Sequence, residues 1–94
     1  MYILIAYDVN TTTASGEKRL RKIAKECVNY GQRVQNSVFE CLLTEAQFIT
    51  LKSKLIQIMD FEFDSIRCYF LGKNIKIEVV GRETSYNASS ELII

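Results

Sequence analysis

Apolar residues open the chain in one short, nearly unbroken run. Residues 2–9 read YILIAYDV, and Asp8 is the charged position among them. A run this short that is rich in β-branched and aromatic residues is typical of a strand buried on both faces. The polar stretch NTTTAS follows at 10–15 and is rich in residues that cap helices. The pattern therefore predicts a strand, a turn and the start of a helix.

The predicted first helix runs to about Asn29, because Gly31 is a natural stop. Its apolar residues recur at helical spacing and form one continuous stripe. They are Leu20, Ile23, Ala24, Cys27 and Val28. The helix is therefore expected to pack against the rest of the domain through this stripe.

An extended segment and a second helix follow. Residues 33–43 (RVQNSVFECLL) read as extended chain, and a tight turn at Asn36–Ser37 would split them into two strands. Thr44 and Gln47 fit a capping box that begins the second helix. The apolar side of that helix carries Phe48, Leu51, Leu55, Ile58 and Met59.

The remaining residues predict a loop, two strands and a tail. A polar loop at 60–65 leads into a strand at 66–71, and an alternating strand at 75–80 is expected at a sheet edge, that of a partner subunit. We therefore assign one domain to residues 1–80 and a tail to residues 81–94. Because the tail ends in the apolar residues 92–94, we expect it to dock on a second copy or on a partner protein.

The order of the predicted elements is β-α-β-β-α-β, followed by an extra strand. This order indicates an α+β, ferredoxin-like fold, in which two helices cover one face of an antiparallel sheet. The other face would remain apolar and uncovered, which favours a homodimer. The fold by itself does not define a function, and the aromatic signature of RNA-recognition modules is absent from this sequence.

Composition narrows the possible chemistry. The chain has 94 residues, enough for one small domain, and a net charge of +1, so it is not a basic coat for nucleic acid as a whole. It has no histidine, which excludes a histidine general base. Its three cysteines lie in apolar patterns and are expected to be buried, reduced thiols. With neither a secretory leader nor an apolar run of membrane length, the expected location is cytoplasmic.

Basic residues are concentrated on the first helix. Lys18, Arg21, Lys22 and Lys25 recur at helical spacing away from the apolar stripe, and Arg19 flanks them. One interpretation is an ordinary solvated face. The other is a site that contacts nucleic-acid phosphates independently of base sequence, and this is the one that we predict.

Asp8 is the strongest single candidate for a catalytic or metal-binding residue. An acid at the end of an apolar strand is either a turn or cap residue or a functional carboxylate. Tyr7 precedes Asp8 and would point to the other sheet face, where packing in the sheet is the favoured interpretation. Further along, Arg33 and Phe39 fall on alternate positions of the extended segment if it runs straight, and Phe39 also suits a core position.

Three stretches together resemble one known family. They are IAYDVN at 5–10, RLRKIAKECVNYGQRVQNSVFEC at 19–41 and DSIRCYFLG at 64–72. In this order they resemble the Cas-two family of CRISPR-associated proteins, and the wording of the second stretch is most similar to the subtype I-C branch. The resemblance spans roughly residues 1–80.

The resemblance implies a ferredoxin-like homodimer that works on nucleic acid. Members are described as metal-dependent endonucleases on RNA or duplex DNA, and also as scaffolds that bridge an integrase partner (the Cas-one family) along a DNA duplex during spacer acquisition. It implies that Asp8 is a metal ligand and that Arg33 and Phe39 contribute to activity, and we group Tyr7, which precedes Asp8, with them as a catalytic candidate. One departure is that Asn10 and Thr11–Thr13 follow Asp8, without the second acid that many members have.

These observations lead to one hypothesis with alternatives. The chain is expected to be a homodimeric spacer-acquisition subunit that binds duplex DNA by its phosphates, with endonuclease activity that depends on Mg²⁺ or Mn²⁺. Because Mg²⁺ needs only one or two protein carboxylates, Asp8 from each subunit would supply the site across the two-fold axis. The alternatives are a structural adaptor without catalysis and a VapD-like toxin ribonuclease.

Overall fold

The structure, a computed structural model, describes residues 1–72 and 76–82. The elements in chain order are β1 (Tyr2–Asp8), α1 (Ala14–Cys27), β2 (Gly31–Gln35), β3 (Val38–Leu42), α2 (Glu45–Ile58), β4 (Ser65–Leu71) and β5 (Lys76–Gly81). The predicted β-α-β-β-α-β order with an added strand is therefore confirmed. The α+β, ferredoxin-like class is confirmed with it.

The strands form one antiparallel sheet in the order β2-β3-β1-β4-β5. β1 lies at the centre, where Ile5 pairs with Phe39 of β3 and with Cys68 of β4. At its end, Asp8 pairs with Ser65 of β4. Because β4 pairs with β1 as far as Asp8, whereas the pairing with β3 ends at Ala6, the last residue of β1 is held by the sheet on its β4 side.

One face of the sheet carries both helices and the core. Ile3, Ile5 and Tyr7 of β1 point into this core, where Ile23 of α1 and Leu51 of α2 are fully buried. Burial of a large apolar side chain contributes about 1.5–3 kcal/mol to stability. The apolar stripes that the sequence predicted on the two helices are therefore the surfaces that pack, except for Val28, which follows the end of α1 and is 45% exposed.

The other face of the sheet is open and largely apolar. Side chains alternate along β1, so Leu4, Ala6 and Asp8 point to this open face. Its large apolar side chains include Tyr2, Leu42, Leu71 and Val79, of which Leu42 is 70% exposed. The sequence-based prediction of an uncovered apolar sheet face is confirmed.

Local signals fix where the helices begin. The Thr13 side chain accepts a hydrogen bond from the Gly16 amide at 3.0 Å and caps α1. A Cβ on Gly16 would lie 1.9 Å from the carbonyl oxygen of Asn10, so only glycine allows the turn to fold back on the helix. Thr44 and Gln47 form the predicted capping box of α2.

The structure also refines several predicted boundaries. The turn at Asn36–Ser37 does separate β2 from β3, whereas α1 ends at Cys27, two residues earlier than expected. The last strand lies at a sheet edge, as predicted, but it pairs with β4 of its own chain. The short β4–β5 connection favours this local antiparallel pairing.

The predicted tail falls mostly outside the described residues, which end at Arg82. The same applies to residues 73–75 of the predicted turn and strand. None of the helices in the described ranges has the length and apolar character needed to cross a membrane.

Candidate functional site

Asp8 marks one end of the sheet and is accessible to solvent. Its side chain is 62% exposed, and it follows three buried residues of β1 that alternate with it in direction. The Asn36–Ser37 turn lies at the same end, because the Tyr7 amide donates to the Ser37 carbonyl at 2.8 Å. The exposed acid predicted from the sequence is therefore present, on the rim of the open face.

Arg82 lies beside Asp8. Its Nη2 atom is 3.7 Å from Oδ2 of Asp8. The Arg82 backbone is itself anchored, since its amide donates to the carbonyl of Asp64 at 2.7 Å. Gly81 has a φ of +105°, and a Cβ there would lie 2.4 Å from that carbonyl oxygen. Only glycine allows this approach, which directs Arg82 toward the end of β1.

Asp64 is a buried carboxylate beneath this surface. Arg19 contacts it with two hydrogen bonds, Nε to Oδ2 at 2.7 Å and Nη2 to Oδ1 at 3.1 Å. The hydroxyl of Tyr7 and the amide of Asp60 also donate to Oδ2. Burial by itself would raise the pKa of Asp64, but the hydrogen bonds from Arg19, Tyr7 and Asp60 outweigh it and hold the pKa below its ordinary value.

Tyr7 belongs to this buried cluster and not to the exposed site. It is 2% exposed, and burial, followed by its hydrogen bond to Asp64, raises its pKa above the ordinary value. The hydroxyl therefore remains a protonated donor. Tyr7 supports the end of β1 from the helix-covered face, and its side chain lies away from the exposed side chain of Asp8.

The structure corrects the prediction that Arg19 belongs to the exposed basic residues of α1. The sequence placed it with the exposed basic residues of α1, but its guanidinium is engaged by Asp64 and the side chain is only 19% exposed. The reason is a contact across 45 residues of sequence, which helical spacing cannot reveal. Arg19 fastens α1 to the start of β4 and is not part of the exposed basic face.

The other four basic residues of α1 are exposed, as predicted. Lys18, Arg21, Lys22 and Lys25 all face solvent. Arg21 has a carboxylate neighbour, Glu17, at 4.0 Å, with both side chains more than half exposed. A loose, solvated pair of this kind is worth little and opens readily.

Arg33 and Phe39 act as a pair on the β2–β3 hairpin. The guanidinium of Arg33 lies 5.7 Å from the ring centroid of Phe39, and its Nε donates to the Asn36 carbonyl at 2.7 Å. Phe39 is fully buried, so its ring supports Arg33 from the core and is not exposed to solvent. Arg33 is exposed, but within the described residues no hydrogen bond or ion pair joins it to Asp8.

The chain offers few ligands for a metal. Among the described residues, no group of three or more Asp, Glu or Cys side chains is close enough to hold an ion. At this end of the sheet, Asp8 provides a hard carboxylate oxygen that is open to solvent. Mg²⁺ accepts one or two carboxylates together with waters and substrate phosphates, so Asp8 fits such an ion as a partial site.

Cysteine chemistry is excluded from the site by burial. Cys27, Cys41 and Cys68 are free and buried, which confirms the prediction from their apolar surroundings. Burial raises the pKa of Cys41 to about 11 and that of Cys68 to about 12. These thiols stay protonated at neutral pH and are not nucleophiles.

Sequence reasoning missed two residues of this site, Asp64 and Arg82. Asp64 stands in the third matching stretch, DSIRCYFLG, where an acid directly before an apolar strand was the available signal. No comparable signal marks Arg82, which lies in a segment that reads as tail.

The ferredoxin-like fold, with an exposed acid at the end of its first strand, agrees with the class of small CRISPR-associated proteins that the sequence resembles, and comparison with known proteins shows this class. The family described as "CRISPR associated protein Cas2" matches residues 1–77. The chain therefore belongs to the Cas2 family, the Cas-two family named above.

Individual relatives cover most of the chain. It is 50% identical over 95 residues to the "CRISPR-associated endonuclease Cas2" of Halalkalibacterium halodurans, covering 99% of each chain. It is 60% identical over 74 residues to the "CRISPR-associated endoribonuclease Cas2" of Chlorobaculum tepidum, covering 79% of this chain and 77% of the relative. The crystal structure of Streptococcus pyogenes Cas2 at pH 6.5 is 62% identical, with a TM-score of 0.76, and the match covers 79% of this chain and 89% of that one.

Proposed function

We propose that this Cas2-family protein is a cytoplasmic, homodimeric subunit of the spacer-acquisition machinery. It binds duplex DNA through phosphates and bridges an integrase partner of the Cas-one family. The observation that carries the proposal is the exposed basic face of α1, made of Lys18, Arg21, Lys22 and Lys25. Phosphate contacts carry no base information, which suits a subunit that must accept DNA of any sequence.

The open sheet face supports the homodimer. Leu42, Leu71 and Val79 are exposed on it, and apolar side chains grouped on one face mark interaction surfaces. A second copy of the chain would cover this face by the same surface on both subunits. The proposal also includes the tail at 81–94 as a docking element for the dimer or for the integrase.

Asp8 supports a second activity, metal-dependent cleavage of a phosphodiester. It lies on the rim of the same open face, so a two-fold dimer brings the Asp8 side chains of both copies to one interface. A bound Mg²⁺ or Mn²⁺ would supply a polarised water for attack on phosphorus. Asp8 would hold the ion, and the exposed guanidinium of Arg33 would contact the charged phosphate.

The substrate of that cleavage is DNA or RNA. Relatives carry both descriptions, since one is named an endonuclease and another an endoribonuclease. The structural adaptor without catalysis remains the alternative if Asp8 binds no ion. Membership of the Cas2 family favours both of these functions over a toxin ribonuclease.

One experiment tests the scaffold directly. The purified chain is mixed with the integrase encoded beside it, with and without a short DNA duplex, and separated by size exclusion. A three-way complex that contains two copies of the chain is the expected result. A chain that elutes alone in every mixture contradicts the scaffold. Neighbouring genes of subtype I-C type would support the finer assignment to that branch, and an adjacent antitoxin would point to the toxin instead.

A further inference from the structure

We propose that Arg82 is a phosphate-binding residue of the Asp8 site and that the Asp8–Arg82 ion pair is the resting form of this site. A divalent cation that takes the Asp8 carboxylate releases Arg82, which then binds a phosphate oxygen of the nucleic acid. This inference rests on the proposed function, because it assumes that Asp8 is a metal ligand.

The position of Arg82 is set by the fold. Its amide is bonded to the Asp64 carbonyl at 2.7 Å, and the Asp64 carboxylate is held by Arg19 and by the hydroxyl of Tyr7. Tyr7 is the residue before Asp8. The buried cluster of Asp64, Arg19 and Tyr7 therefore holds the backbone next to Asp8 and the backbone of Arg82. Gly81 supplies the left-handed conformation (φ +105°) that turns the chain toward Arg82.

The chemistry of the pair is complementary to that of the proposed ligands. The positive guanidinium of Arg82 lies where a metal ion would bind the Asp8 carboxylate. The negative carboxylate of Asp8 lies where a phosphate would bind Arg82. The planar guanidinium suits phosphate as well as carboxylate oxygens. The two residues can therefore exchange each other for a metal ion and a phosphate without moving the backbone.

The pair is also weak enough to exchange. Its atoms are 3.7 Å apart, and the side chains of Arg82 and Asp8 are 51% and 62% exposed. Exposed pairs of this kind contribute little and are screened by salt. Binding of the cation and binding of the phosphate should therefore be coupled, since each removes the partner that competes with the other.

Metal binding gives the first test and needs no cleavage assay. Mn²⁺ is titrated into the full-length protein and followed by electron paramagnetic resonance. Arg82→Gln should lower the dissociation constant about threefold, which is the scale of an exposed ion pair. Lys54→Gln is the matched control, because it removes another half-exposed cation with a carboxylate, that of Glu26, 3.7 Å away and the same unit of charge. It should leave Mn²⁺ binding unchanged.

Duplex binding gives the second test. The affinities of Arg82→Gln and of the unmodified protein for a short duplex are compared in EDTA and in Mg²⁺. In EDTA the unmodified protein should bind only about twofold more tightly, because an ion pair worth about threefold holds Arg82 for most of the time. In Mg²⁺ the variant should bind about fivefold more weakly, as expected for a lost charge-assisted contact. Its salt slope should fall by about one unit. Arg82→Lys should recover part of the loss.

The outcomes separate this inference from the proposed function. If Asp8→Asn leaves Mn²⁺ binding intact, then Asp8 is not a ligand, and this inference fails together with the proposed metal-dependent cleavage, whereas the proposed scaffold is unaffected. If Mn²⁺ binding depends on Asp8 but does not respond to Arg82→Gln, only the role of Arg82 is overturned. An affinity ratio that is the same in EDTA and in Mg²⁺ also overturns it. Equal changes of Mn²⁺ affinity in Arg82→Gln and Lys54→Gln would show a general charge effect and would likewise overturn the role of Arg82.

Discussion

Arg19 and Asp64 are 45 residues apart in the sequence, yet their side chains meet in a two-point contact, with Nε–Oδ2 at 2.7 Å and Nη2–Oδ1 at 3.1 Å. Asp64 is fully buried, and Arg19 reaches it from the middle of α1. Parallel contacts between a guanidinium and a carboxylate are the strongest geometry for such a pair. The contact fixes the position of α1 relative to the end of the sheet that carries Asp8.

Removal of Arg19 should therefore destabilise the protein strongly. Arg19→Met keeps much of the apolar stem but leaves the Asp64 carboxylate buried without its cation, which costs about 3–5 kcal/mol. The free energy of unfolding in urea measures this loss. Arg21→Met, on the exposed side of the same helix, should change it by less than about 0.5 kcal/mol. Similar losses of unfolding free energy in both variants would show that the contact with Asp64 contributes no more to stability than an exposed arginine does.

The pH dependence of stability should report the same cluster. The pKa of Asp64 is lower in the folded protein than its ordinary value, which is about 3.9 in an unfolded chain. The ionised carboxylate therefore stabilises the fold above about pH 4, and this contribution is lost as the pH falls through the folded pKa. Unfolding in urea from neutral pH down to about pH 3 should show a steeper loss of stability than in Asp64→Asn. Parallel curves for the two proteins would contradict this.

This cluster also shows what local patterns reveal and what they do not. The helix starts, the turn at Asn36–Ser37 and the exposed Asp8 depend on neighbouring residues, so their sequence signals were sufficient. Asp64 follows two acids and two phenylalanines in a segment that reads as a polar loop. Its partner lies on another element, and only the packing of α1 against the sheet brings them together.

The same reasoning explains the split among the basic residues of α1. Helical spacing placed Arg19 beside Lys18, Arg21 and Lys22, because spacing gives direction around the helix axis and no information about neighbours. The structure leaves the other members in solvent and takes Arg19 into the Asp64 contact. Arg82 was beyond prediction for a different reason, since its position depends on the conformation of Gly81 and on the Asp64 carbonyl.

The dimer should depend on the open sheet face. Leu42→Lys puts a charge at a 70% exposed position of this face, and desolvating it in an interface without a partner is costly. Light scattering after size exclusion should show a monomer. Val28→Lys is the control, because Val28 is 45% exposed at the end of α1 and is not part of the sheet. A Leu42→Lys protein that remains dimeric would place the interface elsewhere.

Duplex affinity should depend on the basic face of α1. Neutralising Lys18, Arg21 and Lys22 to glutamine should weaken binding to all sequences equally. It should also lower the salt slope by about 0.9 for each lost phosphate contact. Fluorescence anisotropy of labelled duplexes of different sequence, measured at several salt concentrations, gives both quantities.

A matched control separates contact from net charge. Thr50, Ser53 and Gln57 are exposed on α2, and changing all three to glutamate alters the net charge by the same three units (three cations lost in one protein, three anions gained in the other). This variant should retain the salt slope of the unmodified protein. If both triple variants weaken binding to the same extent, the α1 face is only a solvated surface.

Nuclease activity, if it resides in this protein, should require Asp8. The carboxylate is exposed at the rim of the open face, and two copies facing each other would place two negative charges close together, which a divalent cation stabilises. Asn is nearly isosteric but carries no charge, so Asp8→Asn should lower cleavage in Mg²⁺ or Mn²⁺ by at least about a hundredfold, the scale seen when a group that stabilises reacting charge is removed.

The same variant should retain its dimer, its stability and its assembly with duplex and integrase, because Asp8 is on the surface and phosphate contacts by α1 need no metal. Glu17→Gln is the control for the loss of one exposed acid, since Glu17 is 61% exposed and lies on α1. It should cleave at the unmodified rate. Full cleavage by Asp8→Asn prepared in parallel would mean that the activity comes from another group or another protein. A variant that loses assembly together with cleavage would mean that Asp8 has a structural role in the complex, and the separation of scaffold from nuclease would then be wrong.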